Sequence, residues 1–304
     1  MGERMTTKVK YFTNTIIFLL YLAGMSSSNV MAVELPLLAD EAREQGYIVP
    51  KPFGISIGSM RIEQDIIIDK VGFSNLALGP QPLENDAFKI HAAPGSQKNW
   101  LNTFRADVWL LPFLNLYALG GKVTGDSDTL VTIQKIHIPP MPPIESPMAP
   151  FDFKLDLDGY LYGGGLVLVG SRGNWFAMID ASITRTNLTV LDGNIDAFVV
   201  SPKLGYDFAD QGLPLKIWLG GMYQHVDQNL TGYIHKLALP PQLDAILKMV
   251  DGEGEGRFNV EQQLSSPWNT LVGLQYQMFD SFSIIGEMGF SGRKNAMLSL
   301  EYRF

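Results

Sequence analysis

The last eight residues, Met297-Leu298-Ser299-Leu300-Glu301-Tyr302-Arg303-Phe304, alternate strictly. Leu298, Leu300, Tyr302 and Phe304 fall on one face and Met297, Ser299, Glu301 and Arg303 on the other. Successive side chains of a strand point to opposite faces, so this is a strand with one apolar and one largely polar face. The same period recurs upstream. Trp268, Thr270, Val272, Leu274, Tyr276 and Met278 share a face, as do Phe282, Ile284, Gly286, Met288 and Phe290. So do Leu204, Tyr206 and Phe208, then Phe104, Ala106, Val108 and Leu110, and Ile217, Leu219, Gly221 and Tyr223. The opposite faces mix Gly, Ser and Gln with a few charges. A soluble β-sandwich exposes a strongly polar outer face to water. Here the apolar face fits lipid and the mixed face fits a narrow lumen. In lipid every backbone group must be paired internally, which leaves a closed barrel as the strand solution.

Turn positions set the expected topology. Short links fall at 111–113, 170–173, 209–213 and 280–281, and longer ones at 72–98, 126–150, 189–194 and 228–267. Short and long links alternate as in transmembrane barrels. The order predicts about ten strands, near 54–71, 99–110, 114–125, 153–169, 174–188, 195–208, 214–227, 268–279, 282–291 and 295–304, with eight to twelve allowed by boundary error. Helical spacing appears in Leu35 to Gln45, which reads as a solvated lead-in or as a plug for the mouth. It appears again in Pro240 to Val250, where Leu243, Ile246, Leu247 and Val250 share a side that must cover the barrel mouth or the membrane interface. Ile138 to Pro150 is proline-rich and reads as a stiff, extended loop.

The chain start is a different kind of segment. Lys8 and Lys10 precede an apolar run from Thr15 to Met25, and Val30-Met31-Ala32 supplies small or aliphatic residues for cleavage after Ala32. This is a secretory signal-peptide pattern, and the run falls short of the ~20 residues of a spanning helix. The expected organisation is a signal peptide over 1–32, a periplasmic lead-in or short plug over 33–53, and an all-β transmembrane barrel over 54–304. Taken together, the leader, the alternation, the loop asymmetry and the C-terminal Leu298, Leu300, Tyr302 and Phe304 resemble Gram-negative outer-membrane β-barrel proteins. That resemblance implies an antiparallel up-and-down barrel with both ends in the periplasm and short helices outside the wall. It implies outer-membrane lipid and lipopolysaccharide as surroundings, and barrel assembly machinery that reads the C-terminal residues.

Composition narrows the function. The full chain has 304 residues and a net charge of −8. Loss of residues 1–32 removes Glu3, Arg4, Lys8 and Lys10 and takes the charge to −10. So acidic a chain is a poor match for nucleic acid, where neutralising phosphate drives affinity. Cysteine is absent, which excludes disulfides, thiolate metal sites and thiol catalysis. No cofactor motif is present. The Asp251–Gly256 run and Asp156-Leu157-Asp158 lack the ligand spacing of a calcium loop. Catalysis would need a serine activated by one of four histidines, and no spacing pairs them. His225 and Asp227 share a strand face and are the least implausible pair, with solvated loop histidine the stronger reading. Arg105, Asp107, Lys203, Asp207, Glu287, Glu301 and Arg303 all fall on inferred inward faces. They form either a structural network filling the lumen or the lining of a pore, and about ten strands lies close to the filled end of the size range. The sequence therefore supports a structural or surface-interaction barrel or a small-solute pore that binds an extracellular ligand or passes a solute. An outer-membrane hydrolase acting on lipid or peptide is the alternative.

Overall fold

The computed structural model describes residues 34–304 except Pro147, Val190, Ala238 and Glu253. The predicted signal peptide lies outside the described residues. In chain order the elements are α1 (Ala39–Glu44), β1 (Phe53–Ser74), β2 (Ala77–Leu78), β3 (Gln81–Pro82), β4 (Phe88–Ala92), β5 (Gly95–Leu111), β6 (Leu114–Ile136), β7 (Ile144–Glu145), β8 (Phe151–Asp156), β9 (Gly159–Arg172), β10 (Trp175–Leu188), β11 (Asp192–Asp207), β12 (Leu215–Tyr233), α2 (Pro241–Val250), β13 (Arg257–Leu264), β14 (Trp268–Phe279), β15 (Phe282–Gly289) and β16 (Arg293–Arg303).

The pairings close two rings, one above the other. The lower ring runs β1, β5, β6, β9, β10, β11, β12, β14, β15, β16 and back to β1, all antiparallel. It is the predicted ten-stranded up-and-down barrel. Higher up, β13 takes the place of β14, β15 and β16 between β1 and β12. The wall there closes with eight strands. β1 makes the change along its own length: its residues 54–64 pair with β16 and residues 66–74 with β13. The lower ring has no edge, so its backbone is paired as lipid requires, while higher up β4, β7 and β8 pair with β6 alone.

The side-chain alternation inverts between the rings. Low on β6, Leu114 and Leu116 point outward and Asn115 and Tyr117 inward; high on β6, Asp126 and Asp128 point outward and Val131 and Ile133 inward. β1 and β12 do the same, with outward Ile55 and Ile57 giving way to Asp65, and outward Ile217 and Leu219 giving way to Asp227. The lower outer face is an apolar belt: Ile57 is 59 % exposed, Leu219 61 % and Leu298 62 %. Its upper border carries Trp100, Tyr160, Tyr162, Trp268 and Phe290 and its lower border Trp175, Phe279, Phe282 and Phe304, all exposed. Aromatic girdles of this kind mark the two interfaces of a bilayer. The 12 residues of β14 match the roughly 9–11 residues a tilted strand needs to cross the hydrocarbon.

Inversion explains where the expected boundaries fail. The links expected at 72–98, 126–150 and 228–267 are partly strand: β1 continues to Ser74, β6 to Ile136 and β12 to Tyr233, and β4 and β13 are added. Above the belt the outer face meets water, so the apolar residues turn inward and the lipid-type pattern stops. The strand expected at 153–169 is two, β8 and β9, broken at Leu157 and Asp158. The proline-rich segment is not a free loop, since Ile138 and Met148 are buried in the upper core and β7 pairs with β6. The predicted helix at 240–250 forms as α2. The one at 35–45 is shorter, as α1, with Pro36 and Ala39 buried and Leu37 N–H donating to Leu110 O at 2.9 Å.

Candidate functional site

The lumen of the lower ring holds the inward polar side chains. β5 brings Arg105 and Asp107 two residues apart on one face, and β16 brings Glu301 and Arg303. Arg303 donates to Asp107 Oδ1 at 2.8 Å and to Glu301 Oε1 at 2.5 Å. Asn115 donates to Asp107 at 2.5 Å and accepts from Arg105 at 3.0 Å. Arg105 also lies 3.8 Å from the Tyr117 ring centroid, and the Tyr117 hydroxyl donates to Asp180 at 2.6 Å. Charge-assisted bonds of this kind are the strong ones, and the Asp107 side chain is only 1 % exposed. Gly54 opens the space: a Cβ there would sit 2.5 Å from Asp107 Oδ2 and 2.7 Å from Arg303 Nη1.

A second cluster is built on β11, β12 and β15. Lys203 on β11 donates to Glu287 Oε2 on β15 at 2.5 Å, and the Trp218 indole donates to the same oxygen at 2.9 Å. Their side chains are 10 % and 6 % exposed for Lys203 and Glu287. Gly273 on β14 faces the Trp218 ring, and a Cβ there would collide with it. The seventh predicted residue, Asp207, stays apart from both clusters, 3.1 Å from Lys216 and more exposed. Sequence reasoning passed over Asn115, Tyr117 and Asp180. Asn115 lies next to the β5–β6 turn, between outward Leu114 and Leu116, so simple alternation places it on the inward face.

Above these clusters lies a band of amides. Gln64 donates to Gln97 at 3.1 Å, Gln262 to Gln228 at 2.6 Å and Asn269 to Asn295 at 2.7 Å. Asn269 Oδ1 also accepts from the backbone N–H groups of Ser291, Gly292 and Arg293 at 2.9–3.3 Å, which fixes the β15–β16 turn beneath β13. Arg293, 5 % exposed, bonds to Gln224 and to the Pro267 carbonyl. None of its partners is a carboxylate.

The upper ring is filled with hydrocarbon. Phe73, Phe88, Val131, Ile133, Phe153, Leu155, Leu230, Phe258 and Val260 converge there, all 5 % exposed or less. Phe153 and Phe258 meet edge to face across the interior with centroids 6.2 Å apart. α2 lies on this core and seals it with Leu243, Leu247 and Val250, each at most 1 % exposed. An eight-stranded ring is just wide enough for side chains to fill. A hydrated solute rising through the lumen therefore passes ion pairs and amides and then meets a dry apolar core.

Among the described residues no comparable assembly brings catalytic groups together. His225 Nε2 lies 3.4 Å from Asp227 on the outer face, and both are more than 60 % exposed. Among the described residues no serine hydroxyl bonds to a histidine, and no group of three His, Asp or Glu is placed to hold a metal ion.

No protein-family model matches the chain, and no curated protein matches it. Among solved structures, similarity is found to the toluene transporter TbuX of Ralstonia pickettii, at 10 % identity and a TM-score of 0.34, covering 84 % of this chain and 90 % of that one. It is also found to the outer-membrane protein OprG of Pseudomonas aeruginosa, at 8 %, 0.37, 84 % and 98 %. The transport unit of the autotransporter AIDA-I of Escherichia coli matches at 12 %, 0.36, 83 % and 90 %.

Proposed function

We propose that this chain is an outer-membrane β-barrel of the structural or surface-interaction kind, with its lumen closed and its working surface on the outer cap. The observation that carries this reading is the apolar core of the upper ring, sealed by α2. A pore for ions or hydrated solutes needs a continuous polar path, and twenty buried apolar residues interrupt it. The lower clusters then act as a structural network that fixes strand register around the lumen. Phe304, Tyr302, Leu300 and Leu298 serve as the strand read by assembly machinery, and residues 34–52 as a periplasmic lead-in. Outside the lid, Met141, Ile144 and Met249 are 53–65 % exposed on the proline-rich segment and α2. Such side chains offer an apolar contact for an extracellular ligand. The hydrolase alternative receives no support from the solvated His225–Asp227 pair.

An epitope inserted between Gly254 and Glu255, beside α2, tests the placement. Antibody should label it on intact cells. Labelling only after the outer membrane is permeabilised would place the cap in the periplasm and overturn the reading.

A further inference from the structure

The inward cations of the two lumen clusters are matched by carboxylates. Arg105 has Asp107 and Asp180 at 4.0 Å, Lys203 has Glu287 at 2.5 Å, and Arg303 has Asp107 at 2.8 Å. Arg293 is not matched. It points inward at the top of β16, within the amide band, and is 5 % exposed. Its guanidinium donates to two neutral oxygens, Gln224 Oε1 and the Pro267 carbonyl. Its Nε–H is buried and has no partner among the described residues. Gln64 lies directly opposite it in the β1–β16 register, and the other inward side chains of the band, such as Gln97, Gln262, Asn269 and Asn295, are neutral too. Asp107, Asp180, Glu287 and Glu301 are engaged in the clusters below.

A buried charge is costly unless it is paired. A second donor stands beside this one. Asn295, the next inward residue of β16, accepts from Asn269 at 2.7 Å and leaves its own Nδ2 buried without a partner. Two orphaned donors therefore occupy alternate positions of one strand, and one of them is charged. The orphaned oxygens of Gln64 and Gln262 in the same band suit water that hydrates an ion. Gly289 leaves room for the amides, since a Cβ there would collide with both Asn269 and Asn295. Ile66, the next inward residue above Gln64, and Leu271, the next below Asn269, are both 0 % exposed. Such packing favours a compact ion over an organic acid, and one positive charge calls for one negative charge. We infer that Arg293 and Asn295 hold a small monovalent anion of the halide class inside the lumen. The inference does not depend on which side of the membrane the cap faces.

Bromide is the probe, because it substitutes for chloride and scatters X-rays anomalously. Crystals of the full folded protein grown in sodium bromide should show anomalous density in the lumen, at hydrogen-bonding distance from Arg293 Nε. Urea unfolding of the protein in neutral phosphatidylcholine vesicles gives a second readout. At a bromide concentration roughly a hundred times the dissociation constant, the folding constant should be about a hundredfold higher than in sodium gluconate of equal ionic strength. Asn295→Asp places a carboxylate on the same face as Arg293 and supplies the missing charge internally. It should fold, lose the bromide density and unfold at the same midpoint in both salts. Arg293→Gln should also lose the density. A wild type without density at Arg293, or with the same midpoint in both salts, would overturn the inference. So would density or a bromide effect that persists unchanged in Asn295→Asp. The wild-type density decides the matter if either variant fails to fold.

Discussion

Leu247→Ala probes the lid most cleanly. Leu247 is 1 % exposed on α2 and packs in the upper core with Leu243 and Val250. Truncation to alanine removes three carbons from this core. At ~0.8 kcal/mol per buried methylene the transfer loss is about 2.4 kcal/mol. The unfilled cavity raises the total to about 3 kcal/mol, inside the range of ~2–5 for such substitutions. Alanine is a good helix former, so α2 itself is not weakened. The cost falls on docking, and ~3 kcal/mol raises the undocked population by roughly a hundredfold. Hydrogen exchange of the folded protein, resolved by peptide, reads this directly. Amides of 241–250 should exchange roughly a hundredfold faster, while those of β14, β15 and β16 keep their protection. Met249→Ala, at a position 65 % exposed on the same helix, should leave the rate unchanged. Unaltered exchange in Leu247→Ala, or equal loss of protection through the lower ring, would refute the view that α2 is a docked lid.

Other perturbations address the lumen and the C-terminal strand. Lys203→Met leaves Glu287 buried without its cation and should lower unfolding stability by about 3–5 kcal/mol, whereas K203M/E287L should restore most of it; urea titration of the vesicle-folded protein distinguishes the two. Gly273→Val should displace the Trp218 ring from Glu287 and red-shift its fluorescence, and an unshifted spectrum would show that the close contact is not obligatory. Deletion of Phe304 should reduce the assembled fraction in cells but leave refolding into vesicles from urea intact. Equal loss in both would make Phe304 a packing residue, consistent with its stacking on Phe53 and Tyr302, instead of an assembly signal.

The lower ring was legible because one physical rule governs it. Lipid outside and a narrow lumen inside force apolar and polar residues to alternate, and Leu298 to Phe304 or Trp268 to Met278 show that rule without interruption. β13 was not legible for the same reason. In Arg257-Phe258-Asn259-Val260-Glu261-Gln262 the apolar residues point inward and Arg257, Asn259 and Glu261 outward, the reverse of a lipid-facing strand. Its pairing with β1 joins residues nearly two hundred apart, which no local pattern encodes. Leu243, Leu247 and Val250 announced an apolar helix face, while what it covers required the converging Phe73, Phe153 and Phe258. The inward parity of the seven charged residues could be read residue by residue. Their division into a cluster around Asp107, a pair at Glu287 and a separate Asp207 could not, because it depends on how ten strands close.

Single-channel conductance in a planar bilayer tests the closed lumen most directly. Protein verified as folded by its heat-modifiable band should insert and stay electrically silent, since ions would have to cross the apolar core of the upper ring. Reproducible conductance steps from the wild type would mean that a polar path runs past Phe153, Leu230 and Phe258, and the closed-barrel account would be wrong.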